Sequence, residues 1–121
     1  VAAAGQAFQH LTAFADREKA FEAKYRLDQE SEFKAQIRCA KLLGLWAAEQ
    51  MGLTAAAAEA YARSLIDEQL SPGRHDIEQR LLRDLGQSKT DISPEKLQHQ
   101  IARFSVLARD QIAAEQGATP T

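Results

Sequence analysis

One cysteine, one tryptophan, three prolines and six glycines are all that 121 residues contain of these types. Each scarcity removes a class of answer. The lone Cys39 excludes an internal disulfide and fits a reducing compartment. Lys and Arg total 15 against 17 Asp and Glu, a formal charge of −2. No general basic field exists to hold nucleic acid or anionic lipid by charge alone, so nucleic acid is not an expected partner. The longest apolar run is Leu42-Leu43-Gly44-Leu45-Trp46-Ala47-Ala48. That is far short of the roughly 18 residues of a membrane helix, so direct membrane insertion is not expected. The opening Val1-Ala2-Ala3-Ala4-Gly5-Gln6 lacks the basic start and apolar core of a secretory signal, which points to the cytoplasm. The chain opens without Met, as a processed chain or a fragment would.

Chemical motifs are equally sparse. Gly44, Gly52, Gly73 and Gly86 stand isolated, so no phosphate-cradling loop is present. His10, His75 and His99 have no ligand-like spacing to one another or to Cys39, and no metal site is expected. No acid sits in a recognisable apolar pocket beside a nucleophile, and the chain does not read as an enzyme. Cys39 reads as a small buried filler and Trp46 as a core anchor. Tyr61 should bury its ring and keep its hydroxyl near the surface.

What is present is helical. Hydrophobic residues make up 45% and charged residues 26%, the balance of an ordinary globular domain. No segment alternates apolar and polar residues between turns, whereas helical spacing recurs almost everywhere. A first helix should begin near Thr12 or Asp16, bend near Asp28–Ser31 and run to Gln50, with Gly52 beyond its end. Thr54 should cap a second helix through about Asp67, carrying a narrow face of Ala57, Tyr61 and Leu65. Ser71-Pro72-Gly73 forms a turn. Asp76 opens a third helix ending at Gly86, and Ser93-Pro94-Glu95 opens a fourth that fades before Gly117. Ile77, Leu81 and Leu85, then Leu97, Ile101, Phe104, Ala108 and Ile112, supply the seams of an antiparallel bundle. The fold class is therefore all-α: a four-helix bundle with a long, bent first helix whose N-terminal part projects as an arm.

The stretch from Asp16 to Lys41 is different. Thirteen of its 26 residues are charged, seven basic and six acidic. Glu22 precedes Arg26, and Glu30 precedes Lys34, at the spacing that favours helical ion pairs of about 0.2–0.5 kcal/mol each. The apolar residues here are few and mostly aromatic: Phe21, Tyr25 and Phe33, with Phe14 just before the stretch and Leu27 off their line. Spacings of seven and four put Phe14, Phe21 and Tyr25 on one face. Either this stripe packs on its own bundle, or it is an exposed arm carrying anchors for a partner groove.

The block Phe14-Ala15-Asp16-Arg17-Glu18-Lys19-Ala20-Phe21-Glu22-Ala23-Lys24-Tyr25 resembles the opening of the zeta inhibitor subunits of alphaproteobacterial F-type ATP synthases. Lys41-Leu42-Leu43-Gly44-Leu45-Trp46-Ala47-Ala48-Glu49, then Met51-Gly52-Leu53 and Ala58-Glu59-Ala60-Tyr61-Ala62, resemble that family's further blocks in order. The resemblance implies a regulatory subunit that inhibits ATP hydrolysis by the catalytic head. Its N-terminal helix would wedge at a catalytic interface beside the central shaft and block rotation. Carried onto this chain, it implies a division into a flexible extension (1–13), an inhibitory arm (14–30), a helical bundle (31–116) and a frayed tail (117–121). The partner-binding residues would be Phe14, Asp16, Arg17, Glu18, Lys19, Phe21, Glu22, Lys24 and Tyr25. Phe14, Phe21 and Tyr25 would anchor, while Arg17, Glu18, Lys19 and Glu22 would set register and orientation. The protein would be a monomer when free, peripheral to the inner membrane through the synthase, and would need no cofactor. The alternative is a small helical module that binds another protein or, weakly, ADP or ATP, with Arg38 and Lys41 at the phosphates.

Overall fold

The computed structural model describes the backbone of residues 2–73 and 76–117, with side chains from residue 13 onward. Among these residues there are four helices and no strand: α1 (Ala2–Gln50), α2 (Ala55–Leu70), α3 (Ile77–Gln87) and α4 (Pro94–Gly117). The all-α, four-helix reading holds. The chain divides into two compact units, Val1–Ser31 and Glu32–Thr121. The first holds only the opening part of α1. The second holds the remainder of α1 with α2, α3 and α4.

The helix ends follow local chemistry, with some departures from expectation. α1 begins at Ala2 rather than at Thr12 or Asp16. The alanines before Thr12 are strong helix formers, and Gly5 alone is too small a penalty, about 1 kcal/mol, to stop them. Asp28–Ser31, the stretch expected to bend, keeps helical backbone throughout. At the far end Gly52 adopts a φ of 75°, and the N–H groups of Gly52 and Leu53 donate to the carbonyls of Glu49 and Ala48 at 3.0 and 2.9 Å. This paired closure satisfies carbonyls that the helix leaves without partners.

Thr54 stands at the N-cap of α2, but its hydroxyl makes no capping bond there. Its backbone carbonyl accepts from Ala58 N–H at 2.7 Å instead. α2 continues past Asp67 to Leu70, and Ser71 then closes it by donating to the Asp67 carbonyl from both its N–H and its hydroxyl. Asp76 caps α3 as expected, its carboxylate accepting from Gln79 N–H at 3.0 Å. α3 ends at Gln87, one residue beyond Gly86, and the left-handed residue after it is Lys89, with φ 61°. Ser93 caps α4 by accepting from Lys96 N–H at 3.1 Å, with Pro94 at the first helical position. α4 persists to Gly117. The last four residues of the expected tail lie outside the described residues.

The core of the second unit is a cluster of Leu43, Ala47, Leu65, Leu81, Leu85 and Leu97, bordered by Trp46, Ile77, Ile101 and Phe104. Each fully buried leucine contributes about 1.5–3 kcal/mol relative to exposure. The seams expected on α3 and α4 are the seams observed. On α2 the face is shifted: Ala57 is exposed, whereas Ala62 and Leu65 are buried. Trp46 is half-buried, its ring 6.4 Å from that of Phe104.

Candidate functional site

The first unit presents the candidate arm. Every side chain from residue 13 to residue 30 is exposed, so all nine expected partner-binding residues are accessible: Phe14, Asp16, Arg17, Glu18, Lys19, Phe21, Glu22, Lys24 and Tyr25. Phe14, Phe21 and Tyr25 are 57%, 72% and 60% exposed. Helical geometry places the three rings on one face, so they form one apolar stripe in contact with water. Such a stripe costs free energy until something covers it. The Tyr25 hydroxyl accepts a hydrogen bond from Gln29 Nε2 at 2.8 Å, one turn on. The expected Glu22–Arg26 ion pair is not closed, and no ion pair joins the charged side chains of residues 14–30 to one another. At such exposed positions a closed pair offers little, because water screens it and ordering two long side chains is costly.

The two residues expected at nucleotide phosphates diverge. Arg38 turns to α4, where its guanidinium donates to Gln111 Oε1 at 2.8 Å and meets the Glu115 carboxylate at 2.7 Å. Lys41, one turn on, is exposed and lines a cleft of about 370 Å³ with Leu45 of α1 and Glu59, Ala62, Arg63 and Ile66 of α2. A guanidinium already engaged by a carboxylate and an amide is not free to grip a phosphate without breaking those bonds.

Two polar arrangements in the second unit escaped the sequence reading. Arg109 of α4 grips Glu32 with two hydrogen bonds, at 2.8 and 3.2 Å. The bonds hold the Glu32 carboxyl below the usual carboxylate range and raise the pKa of Arg109. The pair borders a pocket of about 260 Å³ whose floor includes Ala35, Ala40, Leu43 and Ile101. Cys39, expected to be buried, is a half-buried wall of this pocket, and burial pushes its thiol pKa up.

The other arrangement joins α2 to α3. Arg80 donates to Glu68 at 2.6 Å, to the Ser64 hydroxyl at 2.6 Å and to Asp84 at 3.3 Å. Its guanidinium carbon lies 5.6 Å from the centre of the Tyr61 ring. Tyr61 in turn donates its hydroxyl to Asp84 at 2.7 Å. Burial, then the hydrogen bond to Asp84, push the Tyr61 pKa well above the ordinary tyrosine range. Burial alone would lower the pKa of Arg80, but its hydrogen bond with Glu68 and that carboxylate's charge outweigh it. Only Arg80 and Asp84 stand at a local helical spacing, four residues apart; Glu32 and Arg109 lie 77 residues apart, and Tyr61 and Asp84 lie 23 apart.

Among the described residues no cluster of His, Cys, Asp and Glu could hold a metal ion, and no helix is long and apolar enough to cross a membrane. His99 is exposed, His75 lies outside the described residues, and so does the His10 side chain.

No curated protein matches the chain. A structure solved by solution NMR does, with 28% sequence identity and a TM-score of 0.58, over 69% of this chain and 96% of the other. A family model described as ATPase inhibitor subunit zeta matches residues 11–111, which takes in the aromatic segment from Phe14, the Gly44–Trp46 block and most of α4. With that span matched over a four-helix fold, the chain belongs to the ATPase inhibitor subunit zeta family.

Proposed function

We propose that this protein inhibits ATP hydrolysis by the catalytic head of an F-type ATP synthase through residues 14–30, the inhibitory arm. The arm enters a catalytic interface beside the central shaft and blocks rotation, while the bundle docks outside. The observation that carries this reading is the exposed stripe of Phe14, Phe21 and Tyr25. Aromatic side chains bury a large area at low entropic cost, the property of interface anchors. The unpaired charges around them keep the helix soluble until it is covered. On this reading the protein is regulatory rather than catalytic, and it works at the cytoplasmic face of the membrane through the synthase.

The test is a titration of ATP hydrolysis by the catalytic head of the cognate synthase. It compares the full chain, a chain lacking residues 1–25 and Phe21→Ala. The full chain inhibits, the truncated chain does not, and Phe21→Ala inhibits only at higher concentration. Equal inhibition by full and truncated chains would move the site into the bundle and overturn the assignment.

A further inference from the structure

The charges beside the aromatic stripe are sorted by sign. With successive helical residues about 100° apart, Phe14, Phe21 and Tyr25 fall within about 20° of a common line. Glu18 and Glu22 lie about 40° and 80° to one side of it, joined by the neutral Gln29. Arg17 and Lys24 lie about 60° and 80° to the other. The stripe, about 16 Å from its first ring to its last, therefore has an acidic edge along residues 18–22 and a basic edge along residues 17–24. Asp28 comes after Lys24 on the basic side, beyond the last ring. Lys19 and Asp16 face away from the stripe and belong to neither edge. All four edge residues are exposed, and none is in an ion pair within the arm.

We infer that the arm's receptor is a protein groove with an apolar floor, a basic lip along Glu18 and Glu22, and an acidic lip along Arg17 and Lys24. The sorting of charge gives the helix a direction. Turning it end for end over the same floor exchanges the two edges, so each lip would then meet its own sign. Like charges brought together in a partly desolvated groove are strongly unfavourable, whereas complementary charges speed docking and fix register. The rings supply affinity in either direction, and the edges select one direction of entry. This inference rests on the arm reading above.

The experiment exchanges the edges without altering composition. The quadruple variant R17E/E18R/E22K/K24E keeps composition, net charge and length, and changes only which side carries which sign. A control, R26E/E30R, exchanges charges that lie off both edges, about 120° and 160° from the line of the stripe. Each is titrated against the catalytic head beside the wild-type chain and Phe21→Ala, with helicity checked by circular dichroism. The expected result is that the edge-exchanged chain inhibits about tenfold or more weakly than wild type, while the control loses clearly less. Raising salt from 50 to 300 mM should weaken the wild-type chain and narrow its advantage over the exchanged one. If Phe21→Ala loses inhibition but the edge-exchanged chain matches wild type, the arm reading stands and the edge assignment falls. Equal loss in R26E/E30R would also overturn it, because sidedness would then be irrelevant. If Phe21→Ala matches wild type, the arm reading fails and takes this inference with it.

Discussion

Gly44 on α1 and Ala62 on α2 meet so closely that a Cβ added to Gly44 would lie 2.6 Å from the Ala62 Cα and 3.0 Å from its Cβ. The nearest obstacle is backbone, which cannot swing aside as the end of a long side chain can. The two helices can cross here only because one position has no side chain and the other has a methyl group.

Gly44→Ala should therefore destabilise the bundle by about 1–3 kcal/mol, the usual range for overpacking, even though alanine is the better helix former by about 1 kcal/mol. Gly86→Ala is the internal control: Gly86 is also helical, but nothing lies within 4 Å of the added Cβ. That variant should gain about 0.5–1 kcal/mol. Urea denaturation of both variants checks the pair, and a stable Gly44→Ala would contradict the close crossing.

Lys89 terminates α3 with a positive φ that L-residues adopt at a cost of about 1–2 kcal/mol. Its N–H and that of Thr90 still close the helix, donating to Gly86 and Leu85 at 3.1 and 2.9 Å. Lys89→Gly should raise stability by about 0.5–1 kcal/mol, and Lys89→Val should lower it. The midpoint of thermal unfolding reads both changes.

Arg80 is the hub between α2 and α3. Removing it by Arg80→Ala takes this cation from the half-buried Glu68 and leaves Asp84 with only the exposed Arg83 as a cation, at 3.6 Å, and should cost about 2–3 kcal/mol. Tyr61→Phe should cost about 1 kcal/mol. Since both partners converge on Asp84, the double variant should cost measurably less than the sum, and a double-mutant cycle measures that shortfall.

Tyr61 also predicts a pH dependence. Its folded pKa is raised, so the folded protein keeps a proton that the unfolded chain releases once the pH passes about 10, the ordinary tyrosine value. The unfolded state then binds fewer protons, and stability falls as pH rises. The fall begins above pH ~10 and is absent below it. Urea unfolding at pH 8 and pH 11 should show a larger loss for wild type than for Tyr61→Phe. The raised Cys39 pKa adds its own alkaline loss equally in both proteins, so their difference isolates Tyr61.

Phe21 separates stability from inhibition. It is an exposed arm residue, so Phe21→Ala should leave the free energy of unfolding in urea within about 0.5 kcal/mol of wild type. A large loss of stability would assign Phe21 to the fold rather than to a partner.

Helix content, the seams of α3 and α4, and the closures at Gly52, Asp76 and Ser93 were legible in the sequence because each depends on residues within four or five positions. The same locality made the aromatic stripe readable: rings at 14, 21 and 25 share a face in any helix. Local rules failed where two signals competed. Thr54 carries a capping side chain that makes no capping bond, and Gly86 offers a helix end that the chain passes by to turn at Lys89. The displaced face of α2 is a tertiary result, since Ala62 rather than Ala57 is buried where Gly44 lets the helix in.

By itself, then, the sequence determined the class of elements, most of their ends and the family that its ordered blocks resemble, because backbone propensity, capping and helical periodicity are short-range. Only the tertiary structure decided which charges are engaged. It tied Arg38 to Gln111 and Glu115, closed Arg109 on Glu32, and gathered Tyr61, Arg80, Asp84 and Glu68 into one network. Apart from Arg80–Asp84, one turn apart on α3, those pairings form when helices distant along the chain bury a common apolar core, and the geometry of that packing, not spacing in the chain, selects the partners.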